Sequence, residues 1–233
     1  MNALAGGGSF VTLPALITAG LPSVTANASS TVALWPGGAA SVWMYRDGLR
    51  PVADVPLAAM AIVTLIGGAC GGLLLLLTPS SLCDRLLPWL LLIATLTLMF
   101  GPRLGALLRG LSRPPPAVML GAQALLGVYG GYYGGAVGIM MLAAWTLFDG
   151  RDIKTLNAPR TLMVVVANGA AVLCFAIARA VRWRETLIVG LGAIAGGIGG
   201  AWLGRRLPAG IVRGVTLALC AIITLLFFIR TYR

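Results

Sequence analysis

Long stretches without a charged residue dominate this chain and limit what it can fold into. A helix that crosses the hydrocarbon core of a bilayer needs about 20 apolar residues. Five of these stretches fit one membrane span each, and the two longest fit two passes, or one pass and a re-entrant segment. The sequence therefore predicts an all-α integral membrane protein with about eight transmembrane segments. The stretches free of Asp, Glu, Lys and Arg are residues 1–45, 55–83, 86–102, 114–148, 161–178, 186–204 and 214–229.

The charged residues are few and mostly basic. They make up 10% of the chain, against roughly 25% in soluble domains, and 17 Lys and Arg oppose six Asp and Glu. Loops beside membrane spans collect Lys and Arg, so we interpret the net charge of +11 as contact with a lipid bilayer. Nucleic acid is not an expected partner, because no basic face with interleaved aromatic residues exists.

Residues for catalysis and metal binding are scarce. The chain has no histidine, and its four cysteines are too widely spaced for a Cys-x-x-Cys pair. The commonest general base is therefore missing. We expect no catalytic residue, no metal site and no cofactor.

Glycine and proline predict where the apolar stretches are interrupted. Gly20-Leu21-Pro22 separates segments near 3–19 and 23–45, and six glycines between positions 127 and 138 predict an unwound middle in 114–148. Glycines spaced by four residues predict close helix packing instead. These are Gly67 with Gly71, Gly68 with Gly72, and the series Gly192, Gly196, Gly200 and Gly204.

The two halves of the chain match weakly at an offset of about 130 residues. Such duplication is typical of secondary transporters, whose substrate site lies near the midplane and is built from broken helices. The sequence thus predicts two four-helix repeats, residues 1–113 and 114–233. Only five residues precede Gly6, whereas about eighteen separate Pro116 from Gly134, so we expect the first span to be truncated. The matching pieces are Gly6-Gly7-Gly8, Asn27 with Thr31, and Gly67 to Gly72 in the first half, against Gly134-Gly135, Asn157 with Thr161, and Gly196 to Gly200 in the second.

Several motifs of the first half resemble the sulfite exporter TauE/SafE family. They are the glycine-rich opening, Val-Thr-Leu-Pro-Ala-Leu at 11–16, Gly20-Leu21-Pro22, Ala-Asn-Ala-Ser-Ser-Thr at 26–31 and a basic turn at 45–50. The second half is similar through Gly134-Gly135, Asn157-Ala158 and the glycine-rich stretch that ends at 204–208. The resemblance implies a cell inner-membrane permease that exports small anions such as sulfite or organosulfonates, and it carries over no catalytic residue.

A broken helix offers free backbone N–H groups and a partial positive charge to an anion. Arg160 is expected to attract the anion at the mouth of the site, with an interfacial snorkelling side chain as the alternative. For Asn27 and Asn157 the alternative is helix capping or an interhelical hydrogen bond. Gln123 and Asn168 are further polar residues within apolar stretches. The predicted substrate-binding residues are Gly6, Gly7, Gly8, Asn27, Ser30, Thr31, Gly134, Gly135, Asn157, Arg160 and Thr161.

Two other classes of function stay open on sequence alone. A cluster of Asp149, Arg151, Asp152 and Lys154 keeps open an integral-membrane enzyme that acts on lipid-linked substrates. A non-transporting subunit of a membrane complex is the second alternative. The sequence does not decide the oligomeric state, and a homo-oligomer is compatible with it.

Overall fold

The computed structural model describes residues 8–107, 115–146, 149, 155–204 and 209–232. These residues form nine α-helices, and a short 3-10 helix at Arg46–Gly48 follows the second of them. The α-helices are α1 (Gly8–Thr18), α2 (Ser23–Tyr45), α3 (Leu57–Leu77), α4 (Ser80–Leu107), α5 (Pro116–Tyr132), α6 (Val137–Trp145), α7 (Asn157–Ile177), α8 (Trp183–Gly204) and α9 (Ala209–Tyr232).

Both predicted helix interruptions are present. The chain breaks between α1 and α2, where Gly20 has φ +92° and Pro22 precedes the first turn of α2. It breaks again between α5 and α6, inside the glycine cluster. The second half of the chain therefore contains five described helices rather than the four predicted, because the break divides the stretch 114–148 into two.

Four described helical segments are long and apolar enough to cross a membrane. This is fewer than the eight predicted spans. Helices α1 and α5 have only 11 and 17 residues, and α2 has polar side chains along its first half. Helix breaks and polar side chains thus shorten the apolar part of several predicted spans. The four segments are Leu57–Leu77, Ser80–Gly101, Asn157–Ile177 and Gly214–Tyr232.

Helix α3 packs so closely on α5 that the predicted packing role of its glycines is confirmed. A Cβ built on Gly67 would lie 2.6 Å from the carbonyl oxygen of Ala124, and one built on Gly71 would overlap the carbonyl of Val128. Residue numbers rise together along this contact. Helices α3 and α5 therefore run in the same direction.

The adjacent face of α3, one residue further along, packs on α7 in the same way. A Cβ on Gly68 would meet the backbone of Ala167, and one on Gly72 would lie 2.9 Å from the Cα of Ala171. Helices α3, α5 and α7 are therefore parallel. The small residues allow backbone contact, which strengthens the dispersion forces that hold helices together in lipid.

Other helix pairs run in opposite directions. The indole N–H of Trp35 in α2 donates to the carbonyl of Val165 in α7. A Cβ built on Gly169 of α7 would lie 3.0 Å from Trp35 Nε1, and one built on Gly38, three residues further along α2, would lie 3.0 Å from Val165, four residues earlier in α7. Thr95 of α4 shares a 3.1 Å hydrogen bond with Thr224 of α9. At the other end of that pair, Thr231 donates to the carbonyl of Asp84. Helices α2 and α7 are thus antiparallel, and so are α4 and α9.

The glycine series of α8 does not show the packing that its spacing predicts. No described atom lies within 4 Å of a Cβ built on Gly192 or Gly196. The side-chain surroundings of Gly200 and Gly204 lie outside the described residues. A four-residue glycine spacing permits a neighbouring helix to approach but does not require one, because a glycine face is equally compatible with open space.

Candidate functional site

Helices α5 and α6 form a hairpin whose turn is the break at residues 133–136. The indole N–H of Trp145 donates to Gln123 Oε1 at 2.9 Å. Gln123 lies nine residues before the end of α5 and Trp145 eight residues after the start of α6, roughly 12–13 Å along each helix. Equal distances from the turn mean that the two helices lie side by side and antiparallel.

The backbone of the break adopts left-handed conformations. Gly134 has φ +75° and Ala136 has φ +58°. This reverses the chain direction within a few residues, and α6 then begins at Val137. The first N–H groups of a helix have no partner within the helix and carry a partial positive charge. The break therefore presents the N-terminus of α6 inside the helical assembly.

Helix α2 borders the break with two polar side chains. Asn27 Nδ2 donates to the carbonyl of Tyr132, the last residue of α5, at 2.8 Å. Thr31 Oγ1 donates to the carbonyl of Asn27, and it lies 3.7 Å from a Cβ built on Gly134. Asn27 thus makes an interhelical hydrogen bond, one of the two alternatives that its sequence context left open.

Helix α7 borders the break with a second pair of polar side chains. Asn168 Oδ1 lies 3.5 Å from a Cβ built on Gly134, and Arg160 Cδ lies 3.4 Å from a Cβ built on Gly138, in the first turn of α6. The two side chains are eight residues apart, so they share one face of α7. Asn168 is the twelfth of the 21 residues of α7, which puts the break near the middle of that span.

Two polar atoms of this α7 face are buried without a partner. Arg160 Nε and Asn168 Oδ1 make no hydrogen bond, although both atoms are inaccessible to solvent. Buried polar side-chain atoms are satisfied in the great majority of cases, so each exception needs an explanation. Arg160 Nε is a donor, which a ligand oxygen would satisfy, whereas Asn168 Oδ1 is an acceptor and needs a donor.

Some predicted site residues fill structural roles near the hairpin or at α1. Gly135 packs directly against the ring of Tyr133. Ser30 Oγ shares a 2.5 Å hydrogen bond with Thr12 Oγ1 of α1. Thr12 also donates to the carbonyl of Gly8, the buried first residue of α1. Predicted site residues Gly6 and Gly7 lie outside the described residues.

Asn157 and Thr161 are joined to each other in the first turns of α7. Asn157 is the first residue of α7, and its carbonyl accepts a 2.8 Å hydrogen bond from Thr161 Oγ1. Eleven residues separate it from Asn168, about 16 Å along the helix. The structure therefore brings Asn27, Thr31, Gly134 and Arg160 around the hairpin, and leaves Asn157 and Thr161 at the end of α7.

Asn168 is the residue that the predicted site omitted. It was visible in the sequence as a polar residue inside an apolar stretch, eight positions after Arg160. That spacing on a helix puts two polar side chains on one face. The eight-residue spacing from Arg160 is therefore the sequence signal for Asn168, whereas the matching pieces of the two halves do not include this residue.

The acidic and basic cluster behind the enzyme alternative is only partly described. Asp149 Oδ2 accepts a 2.8 Å hydrogen bond from the backbone N–H of Ala53, which ties the chain after α6 to the loop before α3. Arg151, Asp152 and Lys154 lie outside the described residues. Among the residues that the structure describes, no three His, Cys, Asp or Glu side chains come together as a metal site.

Comparison with known proteins points to one family. Residues 1–227 match the family described as Sulfite exporter TauE/SafE. A probable membrane transporter protein of Haemophilus influenzae is 30% identical over 207 residues, which cover 89% of this chain and 79% of that protein. The probable membrane transporter proteins ORF9 of Sinorhizobium sp and YfcA of Escherichia coli K12 are each 26% identical, covering 84% and 89% of this chain and 75% of their own length. No solved structure gives a significant match.

Proposed function

This chain belongs to the sulfite exporter TauE/SafE family, and we propose that it carries a small anion across the membrane by binding it at the α5–α6 break. Its family and relatives make it a multi-pass membrane transporter rather than an enzyme. The proposed substrate is sulfite or a small organosulfonate, and the proposed direction is outward across the cell inner membrane.

The unpartnered N–H of Arg160 Nε on α7 carries this proposal. A charged side chain inside a membrane span is costly unless it is paired, so Arg160 there calls for a functional explanation. An anion beside Arg160 Nε would offset the guanidinium charge and accept its free N–H. The N-terminus of α6 would add the attraction of its partial positive charge.

The polar side chains around the break other than Arg160 are uncharged, which suits an anion that must be released from the site as well as bound there. Thr31 and Asn168 flank Gly134 from two different helices. The Asn168 amide can donate to a sulfonate oxygen through Nδ2, and the Thr31 hydroxyl can do so by exchanging its bond to the carbonyl of Asn27, and neither group adds a second full charge. A site with one cation and several neutral donors binds an anion without trapping it, which transport requires.

Two repeats of opposite membrane orientation are part of the proposal, with residues 1–113 and 114–233 as their bounds. Asn27 in α2 and Asn157 in α7 hold matching positions in the two halves, and these helices run in opposite directions. Helices α4 and α9, the last of each half, are also antiparallel. Inverted repeats with a broken helix near the midplane are a recurrent design of secondary transporters.

A flux assay in proteoliposomes tests the proposal. Sulfite flux is measured for the wild type, Arg160→Gln, Arg160→Lys and the control Arg184→Gln, which removes an exposed guanidinium at the start of α8. Loss of a hydrogen bond to a charged group lowers affinity by roughly ten- to a hundredfold. We expect that loss in Arg160→Gln, and an intermediate one in Arg160→Lys because lysine keeps the charge but not the planar donor set.

The outcomes separate the alternatives. Inhibition of sulfite flux by methanesulfonate would support an anion site that accepts organosulfonates. Wild-type flux in Arg160→Gln at matched membrane insertion would refute the site. Absence of any anion flux in the wild type would favour a non-transporting subunit of a membrane complex.

A further inference from the structure

Gln123 lies where helices α3, α5 and α6 meet, and it is not part of the proposed anion site. Its side chain is fully buried, as is that of Trp145 at 1% exposure. Gln123 Nε2 donates to Thr64 Oγ1 of α3 at 2.8 Å, while its Oε1 accepts the indole N–H of Trp145 in α6 at 2.9 Å. One amide therefore joins α5 to both α3 and α6.

We propose that Gln123 is a positioning residue, which sets the depth of α6 and thereby the geometry of the anion site at the other end of that helix. This inference rests on the proposed function, because the anion site is where its effect on transport appears. Gln123 itself touches no part of the proposed site.

The buried face of α6 explains how one side chain can hold the helix. Val137, Met141 and Trp145 are spaced by four residues, share one face and are buried in the same hydrophobic cluster. Gln123 Nε2 also lies 3.9 Å from Met141 Sδ, so it contacts this face at two successive turns. Contacts at two turns oppose both sliding and rotation of α6.

The first turn of α6 carries the consequence to the anion site. Gly138, one residue after Val137, faces Arg160 and Val164 of α7. A helix of nine residues moves as a rigid rod, so a slide at Trp145 shifts its N-terminus by the same amount. One residue of helical rise is about 1.5 Å, enough to remove the first N–H groups of α6 from hydrogen-bonding distance of an anion held by Arg160.

The thioether sulfur atoms near the Gln123 amide offer the indole N–H of Trp145 no strong alternative acceptor. Thr64 Oγ1 already donates to the carbonyl of Met60 and lies 3.5 Å from Met163 Sδ. A thioether sulfur is a weak acceptor. If Gln123 is removed, the indole N–H of Trp145 is left facing an apolar cluster, and α6 must shift to satisfy it.

The test compares Gln123→Met and Trp145→Phe with Thr95→Val. Gln123→Met keeps an unbranched chain but removes both hydrogen bonds, and Trp145→Phe removes the same bond from its other partner. Thr95→Val is the matched control, because it breaks the buried hydrogen bond between Thr95 of α4 and Thr224 of α9, in which neither Gln123 nor α6 takes part. All are reconstituted at equal amounts of folded protein.

Two measurements are made on each variant: the KM and maximal rate of sulfite flux, and deuterium uptake of the peptides covering residues 133–146. We expect Gln123→Met and Trp145→Phe to raise KM roughly tenfold and to increase uptake in those peptides. We expect Thr95→Val to change neither. Because Gln123→Met already removes the bond that Trp145→Phe breaks, the double variant should raise KM no further than Gln123→Met alone.

Hydrogen exchange keeps this inference separate from the proposed function. If the wild type transports no sulfite, the proposed function fails, while increased uptake confined to α6 in Gln123→Met would still support the positioning contact. Unchanged uptake in α6 would overturn the inference. So would a KM equal to that of Thr95→Val, or additive effects in the double variant.

Discussion

Replacing Gly134 with alanine gives a direct test of the break as a binding site. Gly134 has φ +75°, a conformation that costs an L-residue about 1–2 kcal/mol. The added methyl would meet no clash, because its nearest neighbours, Asn168 Oδ1 and the carbonyl oxygen of Gly130, lie 3.5 Å away. The stability cost should therefore be the backbone strain alone.

The methyl group would nevertheless occupy the space between Thr31 and Asn168 that we assign to the anion. We expect folded protein to be obtained with a free energy of unfolding lowered by about 1–2 kcal/mol. Sulfite flux in proteoliposomes should fall much further than this loss explains, by at least about tenfold at equal amounts of folded protein.

Gly20→Ala is the matched control for this substitution. Gly20 has φ +92° and no described atom within 4 Å of its Cβ position, so alanine there imposes comparable backbone strain away from the break. We expect Gly20→Ala to lose similar stability but to retain flux. Equal flux in the two variants would refute the assignment of the break as the anion site.

Two further predictions concern contacts of the hairpin. Gly71→Ala should lower the thermal midpoint of unfolding, because the methyl would meet the backbone of Val128 and push α3 away from α5, a clash that costs about 1–3 kcal/mol. The control Gly121→Ala faces open space on α5 and should leave the thermal midpoint unchanged or raise it. Asn27→Asp should reduce the yield of folded transporter at least as much as Asn27→Ala, because a carboxylate cannot donate to the carbonyl of Tyr132. A well-folded, active Asn27→Asp would show that this hydrogen bond is dispensable.

Local chemistry made part of this architecture readable from the sequence. A break at Gly20-Leu21-Pro22 and an unwound region within residues 127–138 were predicted because glycine and proline act on the backbone of their own residues, whatever surrounds them. The membrane class followed from uncharged stretches, which need only a count of residues. The packing of Gly67 and Gly71 was also predicted, since a four-residue spacing presents a bare face to a neighbour.

The same spacing failed for α8, where Gly192 and Gly196 meet no described atom within 4 Å of their Cβ positions. A glycine face permits a close neighbour but does not supply one. Whether a helix lies there depends on the arrangement of the whole bundle. The sequence pattern therefore predicted where packing was allowed, and the tertiary structure decided where it occurs.

The chain by itself determined a helical membrane protein with two helix breaks at glycine or proline, and with a basic residue, Arg160, at the start of one apolar span. Only the tertiary structure decided which groups meet at the break. Asn27 and the carbonyl of Tyr132 are 105 residues apart in sequence, and Asn168 reaches Gly134 from a third helix. Side chains on different helices meet through the directions and depths of those helices, and these are set by packing across the bundle rather than by any local pattern.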